Sequence, residues 1–406
     1  MKLLVLSNGH GEDRVAIRII ERLQQDPELK IAALPIVGQG YAYKNFNIPL
    51  AGRVQQMPSG GFIYKGGNPL WQDLRGGLIQ LTIEQLKLVR QWGKRGAILA
   101  VGDIVPLLYA WSSQTNYAFV GTAKSEYYLR DESDWLARTS WLERKYSSVY
   151  LPWERWLMSC DRCKAVFPRD SLTTKILQQQ SILAYDLGNP MMDGITGKRR
   201  SRVLGQLDVV LLPGSRMPEA LRNWQQILVG VRSVIKTLAQ EQLNFSTAIA
   251  PGLDLETFVS YGVSQGWQKA ASTESHSIIL KYDNNTLILS QQRYRQFLQQ
   301  ADIAIAMAGT ATEQFVGLGK PAVIFPGEGP QFTYAFAEAQ SRLLGCSITM
   351  VESPINVGKA IAKIINNDRL LEQIAVNGKQ RMGEAGAAKR IAKCLQKTLL
   401  AKDKEC

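Results

Sequence analysis

Short apolar runs alternate with longer amphipathic stretches from one end of the chain to the other. That rhythm predicts a parallel sheet with helices on both faces, because a strand covered on two sides reads as a nearly unbroken apolar run. Strands are expected at residues 2–7, 31–37, 97–101, 117–121, 165–167 and 183–187, with a helix over 14–25. Leu70, Trp71, Leu74, Leu78, Leu81 and Leu88 recur at helical spacing and predict another helix. Gly188-Asn189-Pro190 breaks the rhythm, and a polar, basic stretch over 193–205 follows it. From Leu207 the pattern restarts, with strands at 209–212, 245–249, 287–289, 303–307 and 322–325 and helices at 218–239, 312–318 and 332–344. The expected fold is therefore α/β, two Rossmann-like, doubly wound domains facing a cleft. The first spans 1–190, a linker spans 191–206, and the second spans 207–406, with its last helix free to pack back on the first domain.

Composition narrows this picture. The chain has 406 residues and is 45% hydrophobic, enough for more than one core. No apolar run approaches the ~20 residues needed to cross a bilayer. Residues 1–7 read as a buried strand rather than a leader, so a cytoplasmic protein is expected. Five scattered cysteines give no disulfide framework, and Cys160 and Cys163, a C-x-x-C pair, lack the further ligands of a zinc site. The net charge of +13 suits an anionic partner, either the phosphates of a small molecule or an anionic membrane surface. Nucleic acid is not expected, since no Lys/Arg-dense helix or aromatic RNA-binding signature accompanies the charge.

Chemistry is expected where strands run into helices, since ligands in such sheets bind beyond the C-terminal strand ends. After the first strand comes Ser7-Asn8-Gly9-His10-Gly11-Glu12-Asp13, which lacks the third glycine of a dinucleotide fingerprint. His10, one of two histidines beside His276, is a candidate base, with Gly9, Gly11, Glu12 and Asp13 forming its loop. Asp103, at the end of the strand near residue 100, is a second candidate base or a helix cap. In the second half, Pro213-Gly214-Ser215-Arg216 leads into a long helix and suits a diphosphate, through helix amides and a guanidinium fork. Small residues in Gly309-Thr310-Ala311-Thr312 let main-chain amides close on phosphate, while Glu313 can accept from ribose hydroxyls. Gln331, at a later helix start, is placed to meet a sugar or base.

Taken together, the Leu212-Pro213-Gly214-Ser215-Arg216 turn, the Gly309-Thr310-Ala311-Thr312-Glu313 loop and Gly188-Asn189-Pro190 resemble lipid-A-disaccharide synthase. The specific likeness is to the lipid-A-disaccharide-synthase-related proteins, over essentially the whole chain. A more distant similarity extends to the peptidoglycan N-acetylglucosaminyltransferase and to UDP-N-acetylglucosamine 2-epimerase. The resemblance implies a GT-B glycosyltransferase that moves a sugar from a UDP-sugar to an acceptor by metal-independent inversion. It implies no cofactor beyond that donor substrate. Gly214, Ser215, Arg216, Gly309, Thr310, Ala311 and Thr312 would surround the diphosphate, Glu313 would bind the ribose, and His10 or Asp103 would serve as base. Where that family reads Gly-Glu-x-Ser-Gly-Asp, this chain reads Gly9-His10-Gly11-Glu12-Asp13.

Two N-terminal stretches suggest a lipid acceptor and peripheral membrane contact. One is Phe62-Ile63-Tyr64 and the helix after it; the other places Trp135, Trp141, Trp153 and Trp156 among Arg and Lys. Core packing of the same rings is the alternative. Two other functions stay open, a UDP-sugar 2-epimerase and a non-catalytic nucleotide-sugar or lipid-binding protein.

Overall fold

The computed structural model describes residues 1–9, 11–52, 54, 78–195, 203, 205–271, 276–329 and 331–401. His10, Phe62, Ile63, Tyr64, Leu70, Trp71 and Leu74 lie outside the described residues. The chain forms two compact units, Met1–Asp193 with Gly383–Cys406, and Gly194–Met382.

The first unit is built on a parallel sheet of five strands: β1 (Lys2–Ser7), β2 (Lys30–Pro35), β3 (Ala97–Gly102), β4 (Tyr117–Gly121) and β5 (Cys163–Phe167). Their spatial order is β2-β1-β3-β4-β5. Leu3 and Val5 of β1 enter one core and Leu4 and Leu6 the other, all fully buried, which explains the unbroken apolar reading of that strand. One face is covered by α1 (Gly11–Leu23) and by the C-terminal helix, through Val15, Ile19, Ile391 and Leu395. The other is covered by α3 (Leu78–Gly93), α4 (Ile104–Ser112) and α6 (Pro152–Ser159), through Val89, Leu107 and Leu157. Three short or peripheral helices also lie among the unit's described residues: α2 (Tyr41–Asn45), α5 (Trp141–Tyr146) and α7 (Ser171–Gln178). The strand expected at 183–187 is reduced to a single bridge between Val166 and Ala184, and β2 ends at Pro35 rather than 37. Cys160 and Cys163 are free thiols, and burial pushes the Cys163 thiol up to about 12, away from redox reactivity.

The second unit contains β6 (Gln206–Leu212), α8 (Glu219–Thr237), β7 (Gln242–Ala248), α9 (Leu255–Ser264), β8 (Gln268–Ala270), β9 (Ser277–Tyr282) and β10 (Asn285–Ser290). It continues through α10 (Tyr294–Gln300), β11 (Ile303–Ala306), α11 (Thr310–Gly317), β12 (Ala322–Ile324), α12 (Tyr334–Leu344), β13 (Ile348–Met350), α13 (Val357–Ile365) and α14 (Asp368–Met382). Strand order is β13-β12-β11-β6-β7-β10-β9-β8. The sheet is not wholly parallel, which corrects the expectation from the apolar rhythm. Tyr282 pairs with Asn285 across the two-residue turn Asp283-Asn284, so β9 must run antiparallel to β10, and β8 runs antiparallel to β9.

The chain returns from the second unit to the first through α15 (Ala387–Thr398). Asp193 holds the start of that helix: one carboxylate oxygen accepts from the amides of Gly386 at 2.6 Å and Ala387 at 3.0 Å, the other from Ala388 at 2.9 Å. A carboxylate placed there satisfies amides that the helix cannot pair internally and complements its positive end.

Candidate active site

In each sheet the chain leaves a central strand first toward one side and later toward the other. From β1 the chain moves to β2 on one side and then to β3 on the other; from β6 it moves to β7 and later to β11. The crevices beyond the C-terminal ends of β1 and β3, and of β6 and β11, are the switch points where ligands of such sheets bind. The loops singled out in the sequence lie at these two places.

At the first switch point, Ser7 anchors the loop from below. Its hydroxyl donates to Asp13 Oδ1 at 2.6 Å and lies 2.6 Å from the Tyr43 hydroxyl, with all three groups buried. Burial raises the Asp13 carboxyl above its ordinary range, and the Ser7 hydrogen bond pulls it partly back. Gly9 adopts φ +97°, and a Cβ there would stand 2.8 Å from the Val37 carbonyl oxygen, so the turn admits no side chain. Asp13 therefore builds the loop instead of facing a ligand.

Glu12 and Asp103 face each other across the crevice. The Glu12 carboxylate accepts from the Asn8 amide at 2.9 Å and from the Thr122 hydroxyl at 3.2 Å. Asp103 caps α4 by accepting from the Val105 amide at 2.9 Å, and its other oxygen accepts from the Asn8 side-chain amide at 3.3 Å. Gly102, at φ +139°, makes room for the pair: a Cβ on it would come within 2.6 Å of the Glu12 carboxylate. Burial, followed by the negative charge of Asp103, pushes the Glu12 carboxyl up to about 8, against the opposing pull of the Asn8 and Thr122 hydrogen bonds. Near neutral pH Glu12 thus holds a proton beside the Asp103 carboxyl. Gly11 opens α1 and is exposed.

At the second switch point, β6 and β11 lie side by side with Leu212 opposite Ala306, and the Met307 amide donates to the Leu212 carbonyl at 2.9 Å. Beyond them the chain opens into the two loops expected to hold phosphate. Asn223, on the buried face of α8, ties the loops together by donating to the Pro213 carbonyl at 3.0 Å and the Met307 carbonyl at 3.3 Å. Gln340 of α12 donates to the carbonyls of Ala308 at 3.1 Å and Gly309 at 3.2 Å. These carbonyls are turned inward. The start of α11 carries no side-chain cap, and Gly309, Thr310, Ala311 and Glu313 are partly or fully exposed there. Thr312 differs from its neighbours: it is fully buried, and its hydroxyl donates to the Ala308 carbonyl at 2.6 Å, so its side chain shapes the loop.

Gly214, Ser215 and Arg216 lie between β6 and α8, with Ser215 exposed and Arg216 partly exposed. The helix starts at Glu219, and its N-cap residue is Pro218, which makes no side-chain cap. Glu219 is buried and accepts from the amides of Gln331 at 3.0 Å and Phe332 at 2.7 Å, which fixes the loop bearing Gln331. Asn223, Glu219 and Gln340 were not singled out in the sequence, although each is a polar residue on the apolar face of a helix. Asn223→Ala is expected to cost about 2 kcal/mol of stability, because two buried carbonyls lose their donor. Urea denaturation measures it, and a loss within error would remove Asn223 from this role.

Two Rossmann-like domains in one chain define a fold of the GT-B class. No protein-family model matches the chain, and no curated protein matches it either. Among solved structures it is similar to a co-structure of Staphylococcus aureus MnaA with UDP, at 13% identity and a TM-score of 0.58 over 97% of this chain and 96% of that one. It is also similar to Acinetobacter baumannii MurG, at 14% identity and TM-score 0.55, over 98% of this chain and 100% of that one. A third is UDP-GlcNAc 2-epimerase from Neisseria meningitidis bound to UDP-GlcNAc, at 14% identity and TM-score 0.55, over 98% and 100%.

Proposed function

We propose that this chain is a nucleotide-sugar enzyme that transfers a sugar from a UDP-sugar to a lipid acceptor at the cytoplasmic face of a membrane. The observation that carries it is the convergence, at the β6–β11 switch point, of an uncapped helix start and the Gly214-Ser215-Arg216 turn. Solved structures of the same fold hold UDP or UDP-GlcNAc, which supports the choice of donor. Amides of Thr310 and Ala311, with Gly214, Ser215, Gly309 and Arg216, surround the diphosphate, and Thr312 holds their loop in shape. Glu313 accepts from the ribose hydroxyls, and Gln331 meets the sugar or base.

In this scheme the acceptor hydroxyl attacks the anomeric carbon while its proton passes to Asp103, and the bond to the UDP oxygen breaks. The helix amides and Arg216 stabilise the charge that develops on departing UDP. Glu12, holding its proton beside Asp103, gives it to solvent as it takes up the one that Asp103 has received, so the pair relays the acceptor proton outward within the loop of Gly9, Gly11 and Asp13; His10 is the alternative base. Calorimetric titration with UDP tests the donor site. Arg216→Ala and Glu313→Ala are each expected to weaken UDP binding by about tenfold, the loss of one charge-assisted contact. Unchanged affinity in both variants overturns the assignment.

The carboxyl pair favours a second reading, 2-epimerisation of the UDP-sugar, because removing and returning a proton at one carbon uses one base and one acid. Incubation with radiolabelled UDP-sugars and a total lipid extract separates the two. Lipid-bound label supports transfer, interconverted sugar nucleotide supports epimerisation, and binding without either product means that both are wrong.

A further inference from the structure

Three tryptophans of the first unit stand open to solvent on two consecutive short helices. Trp141 of α5 is 71% exposed, and Trp153 and Trp156 of α6 are 56% and 55% exposed. Leu142 and Tyr146 are exposed beside Trp141, and α5 buries none of its residues. Leu108 of α4, the helix packed against α6, is exposed as well. Trp135 stands apart, since the Arg130 guanidinium stacks 3.6 Å above its ring.

Indole rings offered to water on this scale mark a surface that meets something less polar, and the charges nearby say what. Residues 138–164 hold six Lys or Arg against three Asp or Glu. Arg144 and Lys145 are exposed on α5, with the Lys145 ammonium 5.3 Å from the Trp141 ring centre. Of the three acids, Glu154 is buried against Lys124. Exposed indoles flanked by cations suit the headgroup layer of an anionic bilayer, where the ring sits among acyl carbonyls and the cations meet phosphates. Among the described residues no helix is long and apolar enough to cross a membrane, so contact through this face would be lateral.

A chain of contacts links this face to the carboxyl pair. Glu154, next to Trp153, bonds Lys124, which lies two residues beyond Thr122, the residue whose hydroxyl meets Glu12. We propose that the α5–α6 face docks the first unit on an anionic lipid surface, with the β1–β3 crevice opening beside the headgroups. This surface rests on the membrane part of the proposed function and not on its UDP site, so vesicle binding and UDP binding can fail separately.

The test is co-sedimentation of the full chain with phosphatidylcholine vesicles, with and without phosphatidylglycerol, alongside the blue shift of tryptophan emission. Binding is expected to the anionic vesicles only, to weaken with salt, and to fall about tenfold or more in Arg144→Glu/Lys145→Glu, which retains all three tryptophans. Trp141→Ser/Trp153→Ser/Trp156→Ser is expected to lose binding and the blue shift while its far-ultraviolet circular dichroism is unchanged. If that variant misfolds, the charge variant alone decides. No binding by the unaltered chain, equal binding to both vesicle types, or undiminished binding by the charge variant overturns the proposal. So does a dimer in light scattering that the tryptophan variant dissociates, since the face would then meet a second copy.

Discussion

Glu12→Gln is expected to lower turnover about a hundredfold or more at neutral pH while leaving UDP affinity unchanged. Glutamine matches the shape of the side chain: its oxygen still accepts from the Asn8 amide, and its NH2 takes the place of the oxygen that meets the Thr122 hydroxyl, which can accept from it, so the loop persists and only proton exchange is lost. The pH–rate profile separates this role from a structural one. In the unaltered chain the rate falls as pH rises through about 8, where Glu12 gives up its proton beside Asp103; in the variant that limb is absent. Stability should move the same way. Below the ordinary carboxyl range both folded and unfolded chains hold the Glu12 proton, and between that range and about 8 only the folded chain does. Folding stability contributed by this group is therefore lost as pH rises through that window, and Glu12→Gln should flatten the slope. A loss of less than threefold in turnover, with the limb retained, would rule Glu12 out as a proton carrier.

Lys320→Met should destabilise the second unit by about 3 kcal/mol, because a buried cation leaves three carbonyls behind. The Lys320 side chain is 4% exposed, and its ammonium donates to the carbonyls of Leu298 at 3.0 Å, Gln299 at 2.7 Å and Ala301 at 2.6 Å. It thereby closes the C-terminal end of α10, where a positive charge also meets the negative end of the helix dipole. Methionine fills the same stem volume with no donor. Urea denaturation with the Lys320→Arg control measures the effect, and a loss below 1 kcal/mol would show that solvent replaces the ammonium freely.

Lys320 shows where the sequence stops being informative. It stands in a Gly-Lys-Pro turn beside the expected phosphate loop, and in sequence its charge points as readily to a ligand as to a helix end. Only the carbonyls of 298–301 decide, and they come from another element. The strand-to-helix loops at Gly9, Gly214 and Gly309 were legible because small residues after an apolar run have a local cause. Thr122 meets Glu12 across 110 positions, and no local pattern records that contact. Asn223 and Gln340 were missed for the same reason, although an amide on an apolar helix face is a signal that can be read. The antiparallel arm was legible in principle from Asp283-Asn284 between two apolar runs, but the parallel rhythm around it masked the turn. Residues 183–187 carried strand composition, but their pairing with β5 stops at the single bridge in which Leu183 and Tyr185 bond Val166.

The clasp of Asp193 on the amides of α15 has a consequence for the order of events during synthesis. Residues 194–382 form a contiguous unit and can fold as soon as they emerge from the ribosome. The first unit, although made earlier, cannot close one face of its sheet until Ile391 and Leu395 have been translated. A chain released before residue 383 would hold a complete second unit and an N-terminal sheet with one side covered by α1 alone.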